Sequence, residues 1–128
     1  MCGICGAVSL TGQLDPEVGL AIQPMTAALR HRGPDGDGFF RDTVAALGHR
    51  RLAIIDRGGG AQPITNEDGS RWIVFNGEIY NHRALRKILE RRGHRYRTAS
   101  DTETIHENAA HMAKCRRTCT ASRAEPAA

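Results

Sequence analysis

The sequence predicts a single mixed α+β domain. Three observations carry that reading. Short apolar runs bounded by Gly, Thr and Asn read as strands; two longer stretches place apolar residues at helical spacing behind capping residues; and a hairpin-like turn precedes one of the strands. The 128 residues suit one domain. A chain of this size can bury roughly two-thirds of the surface it exposes when unfolded.

Ile4–Leu10 is the first strand, bounded by Thr11-Gly12 and starting at the N-terminus itself. Asp15-Pro16-Glu17 then opens a helix: a capping residue, Pro at the first helical position, and an acid in the first turn. Val18, Ile22, Met25 and Leu29 give it one apolar face; Pro24 lies inside it as a potential kink, and Gly33-Pro34 stops it. Asp35–Gly38 reads as a turn, Phe39-Phe40 and Val44–Ile55 as strands, and Asp56–Gly60 as a glycine-rich loop. No GK[ST] or GxGxxG pattern surrounds Gly58-Gly59-Gly60, which argues against a phosphate cradle. Asn66-Glu67-Asp68-Gly69 forms the hairpin-like turn before a strand at Trp72–Phe75.

Asn81 is placed to cap a second helix, with Ala84, Leu85, Ile88 and Leu89 on its apolar side. Arg86, Lys87, Arg91 and Arg92 face water, and Gly93 ends it. Tyr96 falls in a short strand candidate. Ser100-Asp101-Thr102-Glu103 has the spacing of a capping box that opens a third helix. From Glu107 to Ala128 there is no Leu, Ile, Val, Phe, Tyr or Trp. Such a segment cannot bury enough apolar surface to offset its ordering entropy, so a frayed helix and a disordered tail are expected.

Hydrophobic residues make up 40% and charged residues 25%, as in a soluble globular protein; aromatics are only 5%, so the core must rest on Leu, Ile and Val. The net charge is +4. Positive charge concentrates in Arg83–Arg97 and Lys114–Arg123, but no helix-turn-helix, zinc-finger or aromatic platform accompanies it, so solvated Arg-rich faces are expected and nucleic-acid binding is not. No apolar run approaches the roughly 20 residues of a membrane span. The N-terminus lacks the charged start and long apolar segment of a signal peptide. A cytoplasmic location with reduced cysteines follows as the expectation.

Cys2 is a candidate nucleophile. With Met1 removed, its thiol and a free α-amine share one residue. The amine titrates near 7.7–8.0 and the thiol near about 8.5, so the amine can take the thiol's proton near neutral pH. The thiolate is the competent nucleophile. A metal reading competes with this one: Cys2-x-x-Cys5 has zinc-knuckle spacing, and Cys115 and Cys119 supply a second pair. A redox CxxC is the weaker variant, since such motifs open a helix rather than start a chain.

Six words stand in order. They are Met1-Cys2-Gly3-Ile4-Cys5-Gly6, Arg30-His31-Arg32-Gly33-Pro34-Asp35-Gly36-Asp37-Gly38, Gly48-His49-Arg50-Arg51-Leu52-Ala53-Ile54-Ile55-Asp56, Gln62-Pro63-Ile64-Thr65-Asn66, Phe75-Asn76-Gly77-Glu78-Ile79-Tyr80-Asn81 and Ser100-Asp101-Thr102-Glu103. Together they resemble the N-terminal glutaminase domain of glutamine-dependent asparagine synthetases, which are class II amidotransferases. The resemblance covers roughly residues 1–107.

It implies an N-terminal-nucleophile hydrolase fold, with two stacked antiparallel sheets flanked by helices. It implies Cys2 as the nucleophile toward glutamine, and the Asn76 side-chain amide with the Gly77 N–H as oxyanion donors. Arg51 would clamp the α-carboxylate and Asp101, with Glu78 beside it, the α-ammonium. The backbone of Arg51, Leu52, Ala53, Ile54 and Ile55 would line the pocket. His31 and His49 are left as packing or loop-ordering residues, because the N-terminal amine already supplies a base.

The same resemblance implies what is missing. After the third helix the family continues into strands resembling GMFAF and RDxxGxKPLY, then into an ATP-dependent synthetase domain; neither is present here. The fold is therefore expected to be incomplete, with residues 108–128 a divergent tail and apolar sheet faces left without partners. No cofactor is expected in this chain, since ATP and Mg would belong to the synthetase domain. Glutamine is the expected partner, with a homodimer or a separate synthetase chain left open. The alternatives are an inactive truncated fragment with at most a binding role, or a four-cysteine zinc module.

Overall fold

The computed structural model describes residues 2–53 and 60–109. Strand β1 is Gly3–Val8, helix α1 Pro16–Ala28, strand β2 Gly36–Arg41 and strand β3 Ala45–Arg51; a single 3-10 turn, Leu29–His31, follows α1. Strand β4 is Ile64–Thr65, strand β5 Trp72–Ile73 and helix α2 His82–Arg91. Residues 101–109 form a third helix, α3. The class is α+β with antiparallel sheets, as the sequence predicts.

The first sheet has the order β1-β3-β2, both pairs antiparallel. The register sets Ile4 opposite His49 and His49 opposite Gly38, and it sets Cys5 opposite Gly48 and Gly48 opposite Phe39. Side chains alternate across a strand. Cys5, Gly48 and Phe39 therefore share one face, while Ile4, Leu47, His49 and Phe40 share the other.

Helix α1 covers the first face. Asp15 caps it by accepting from the Glu17 N–H at 2.8 Å, with Pro16 at the start of the helix, and the helical span runs on through Pro24. Its buried side is not the expected one. Gly19, Ile22 and Thr26 turn inward, while Val18 and Met25 stay exposed. Small residues win here because the helix lies very close to the sheet. A Cβ at Gly48 would sit 2.0 Å from Thr26 Oγ1, so neither position tolerates bulk. Thr26 satisfies its hydroxyl on Ile22 O at 2.7 Å and meets Cys5 Sγ at 3.2 Å.

The β4–β5 hairpin lies against the second face. Phe40 stacks on Trp72 with centroids 4.3 Å apart, and a Cβ at Gly38 would meet the Gln62 carbonyl oxygen at 2.0 Å. The expected turn between these strands is present. Asn66 Oδ1 accepts from Arg71 N and Asp68 Oδ1 from Ser70 N, while Gly69 takes a φ of +72°.

Several expectations are corrected. Asp35–Gly38 is mostly strand, because Gly36–Gly38 pair with β3. The β3 strand ends at Arg51, and Ile54 and Ile55 lie outside the described residues. On α2, Leu85 and Leu89 turn inward but Ala84 and Ile88 are exposed, and Asn81 caps without a side-chain bond. Arg86 is not a solvated arginine: its guanidinium lies 4.3 Å over the Tyr96 ring, donates to Thr98 O and pairs with Glu90. Tyr96 itself is not in a strand. Gly93 does end the helix, at φ +91°.

The capping box is only half formed. Ser100 Oγ accepts from the Thr102 N–H at 3.2 Å, but Glu103 does not return to Ser100. It accepts instead from Arg97 N, Thr98 N and Thr98 Oγ1 at 2.6–2.8 Å, fastening the segment before α3. His106 Nε2 donates to Ile64 O at 2.8 Å, tying α3 to β4.

The core differs from one resting on Leu, Ile and Val. Among the described residues the fully buried apolar side chains are Ile22, Ala46 and Leu89, while His49, Arg50, Asn66, Glu103 and Glu107 are buried polar groups. On the edge strand β1, Ile4 and Val8 remain 46% and 62% exposed on the second face.

Candidate active site

The second face of the first sheet ends in a cavity of about 590 Å³. β1 delivers Cys2 to it, β3 delivers His49 and Arg51, and the segment after β5 delivers Asn76, Gly77 and Glu78; the start of α3 delivers Asp101. The alternation of β3 puts His49 and Arg51 on the same face, two residues apart. Leu52 also lines the cavity. Ala53 is not among its lining residues; its N–H donates to Asp35 Oδ2 at 2.8 Å.

The Cys2 thiol is half-buried. Leu52 N donates to its sulfur at 3.4 Å, and the sulfur lies 3.8 Å from Leu52 O. Cys5, three residues on, points to the opposite face and meets Thr26. Cys2 and Cys5 therefore cannot share one ion as a zinc knuckle, which corrects that reading of the pair; Cys115 and Cys119 lie outside the described residues.

Asn76 and Gly77 sit at the cavity wall. A Cβ at Gly77 would fall 2.7 Å from the Phe75 ring, so only glycine leaves the backbone and the ring where they are. The segment is fastened to α3. Asp101 Oδ2 accepts from Ile79 N at 2.8 Å. Gln62 Oε1 accepts from Phe75 N at 2.5 Å, and Gln62 Nε2 donates to Thr102 Oγ1 at 3.2 Å. Gly60, at φ +72°, brings its backbone close to both Ser100 and the Arg51 guanidinium. The cavity thus holds fixed charge of both signs: Arg51 on one side, Glu78 and Asp101 on another.

His49 is 1% exposed, and among the described residues its buried Nε2 has no hydrogen-bond partner. Burial first, and the neighbouring Arg51 charge second, lower its pKa from 6.5 to about 4. The ring is neutral at physiological pH. His31 lies elsewhere, donating through Nδ1 to Ala28 O.

Among the described residues, Glu67, His94 and Glu107 bring potential metal donors within 4.8 Å of one another. None of the three lines the cavity. His94 Nδ1 donates to Glu107 Oε2 at 2.8 Å, which accounts for the two buried members as a side-chain pair.

Among the lining residues to which sequence reasoning gave no role in the site are Gln62, Arg83, Ser100 and Thr102. Gln62 stood inside one of the six words and Thr102 inside another. Their roles depend on which backbone groups the fold brings within reach, and no local pattern reports that.

The family of glutamine amidotransferase domains matches residues 1–120, and the chain belongs to that family. Among its relatives is glutamine-hydrolyzing asparagine synthetase 1 of Bacillus subtilis (strain 168). It is 45% identical over 108 residues, which are 82% of this chain and 17% of the relative. Glutamine-hydrolyzing asparagine synthetase 1 of Arabidopsis thaliana is 41% identical over 104 residues, 80% of this chain and 18% of the relative. A probable glutamine-hydrolyzing asparagine synthetase of Dictyostelium discoideum is 40% identical over 105 residues, 80% of this chain and 19% of the relative. The chain thus spans less than a fifth of the length of these curated relatives. Among the described residues no helix is long and apolar enough to cross a membrane.

Proposed function

We propose that the cavity hydrolyses glutamine to glutamate and ammonia, with Cys2 as nucleophile. The observation that carries this reading is the convergence of a half-buried thiol, an arginine, two carboxylates and an Asn-Gly backbone on one cavity, from four separate stretches of chain. An amino acid with an amide side chain needs that set: a fixed cation for its carboxylate, a fixed anion for its ammonium, and a nucleophile beside oxyanion donors.

In the proposed reaction the Cys2 thiolate attacks the amide carbon, and its own α-amine holds the thiol's proton once Met1 is removed. The oxyanion is held by the Asn76 amide and the Gly77 N–H. A donor of this kind lowers the barrier by roughly 3–4 kcal/mol. The C–N bond then breaks, the amine returns the proton to the leaving nitrogen, and ammonia departs from a glutamyl thioester. Water, deprotonated by the same amine, cleaves the thioester to glutamate. Arg51 pairs with the α-carboxylate, and Asp101 with Glu78 receives the α-ammonium. Leu52 lines the pocket beside Arg51.

The reading extends to the whole protein. The fold is of the N-terminal-nucleophile hydrolase type, residues 1–107 form part of a glutaminase domain, and residues 108–128 diverge from it. In an intact relative the ammonia would serve asparagine synthesis in the cytoplasm, with ATP and Mg bound by a synthetase domain. Purified protein should show steady release of ammonia from glutamine that is abolished in Cys2→Ala. A cooperative fold without such turnover would refute the reading.

One observation favours a second reading, an inactive segment. The described core holds three buried apolar residues, and Ile4 and Val8 are uncovered. Absence of any cooperative unfolding transition in the purified chain would establish it.

A further inference from the structure

The donors proposed for the oxyanion, Asn76 and Gly77, lie outside helix and strand. Something other than a ladder must hold them. The structure holds this segment by side chains at both ends. At the far end Asp101 Oδ2 accepts from Ile79 N at 2.8 Å. At the near end, one residue before Asn76, Gln62 Oε1 accepts from Phe75 N at 2.5 Å.

The Gln62 amide is used in both directions. Its Nε2 donates to Thr102 Oγ1 at 3.2 Å, and Thr102 is 2% exposed at the start of α3, next to Asp101. The backbone of Gln62 is itself held down, since its carbonyl oxygen occupies the space above Gly38 on β2. The residue is therefore a strut between the first sheet, the segment at 75–79 and α3. Phe75 transmits its position onward, because its ring lies where a Cβ of Gly77 would be.

From this arrangement we infer that Gln62 is a positioning residue of the site: it fixes Phe75, and through Phe75 the backbone N–H of Gly77, against the start of α3. This role rests on the glutaminase reading above. Gln62 sets where the oxyanion donors stand, while Arg51 and Asp101 set where the substrate's ends stand. Loosening the strut should slow chemistry and leave ground-state binding alone.

The test compares Gln62→Met, Gln62→Glu and Thr102→Val in the full chain. Gln62→Met keeps the length and removes both hydrogen bonds. Its kcat for glutamine should fall roughly 10- to 100-fold, part of what loss of a whole oxyanion donor costs, with KM nearly unchanged. Gln62→Glu keeps an acceptor for Phe75 N and should recover most of that kcat. Thr102→Val should cost less than Gln62→Met, and the double variant should be no slower than Gln62→Met alone, since both act through one strut. Hydrogen exchange at the Phe75 amide should speed up in Gln62→Met and not in Gln62→Glu, whether or not glutamine is present. An unchanged kcat in Gln62→Met, or a loss the same in the Glu variant, would overturn the inference. Wild-type protein without Cys2-dependent turnover would instead refute the glutaminase reading, and the strut would then be judged on Phe75 exchange alone. An unprotected Phe75 amide in wild type would overturn it too.

Discussion

His49 is buried on the floor of the cavity with its pKa held at about 4, against 6.5 in an exposed histidine, so acid should unfold this chain partly through one ring. The sign follows from which state binds the proton. The folded ring stays neutral, while the unfolded ring protonates as pH drops below 6.5. Stability is therefore fully present above 6.5 and is lost progressively as pH falls toward 4. Proton linkage with these two values makes the loss about 2 kcal/mol by about pH 5 and about 3 kcal/mol by about pH 4. That is a large share of the stability of a small domain. Urea unfolding of wild type and His49→Gln across this range isolates the ring, because titrating carboxylates contribute equally to both. The free-energy difference between the two proteins should shift by about 3 kcal/mol against wild type between about pH 7.5 and about pH 4. Parallel curves would refute the reasoning, since they would mean that the ring is solvated or paired in the fold. A ring that stays neutral down to this range also cannot provide an activity limb near 6.5. On the proposed mechanism a loss of activity as pH falls through neutrality belongs to protonation of the Cys2 amine.

Two other substitutions probe the scaffold and the site. Gly48→Ala drives a methyl to 2.0 Å from Thr26 Oγ1 and 2.8 Å from Cys5 Sγ, so α1 must retreat. The expected loss is about 2–3 kcal/mol in a denaturant melt, partly relieved by Thr26→Ala. Asp101→Asn keeps an oxygen for the Ile79 N–H but loses its charge. On the proposed reading KM for glutamine should rise roughly 10- to 100-fold while kcat holds, and Asp101→Ala, which also frees Ile79, should lower kcat as well. Equal kinetics for the Asn and Ala variants would separate Asp101 from the 75–79 segment.

Much of this protein was legible in its linear order. Asp15-Pro16 announced α1, Asn66–Gly69 announced the hairpin, and Gly93 announced the end of α2, because caps and turns are local chemistry. Six words in order pointed to the glutamine amidotransferase family. Other features could not be read that way. The buried side of α1 is Gly19, Ile22 and Thr26 rather than Val18 and Met25, because the helix answers to Gly48 on another strand. Glu103 looked like half of a capping box and instead holds residues 97 and 98. Gln62 looked like one letter of a motif and is a strut whose three partners are 13 to 40 residues away or across the sheet.

The sequence by itself determined the family, named Cys2, Arg51, Glu78 and Asp101 as candidates for one site, and placed most of the turns, since each depends on residue type and short spacing. Only the tertiary structure decided that Cys2 and Cys5 face opposite layers, that His49 is neutral beside Arg51, and that the Asn76–Gly77 segment is held from α3. Those facts arise from strand register and from burial, which depend on residues far apart in the chain.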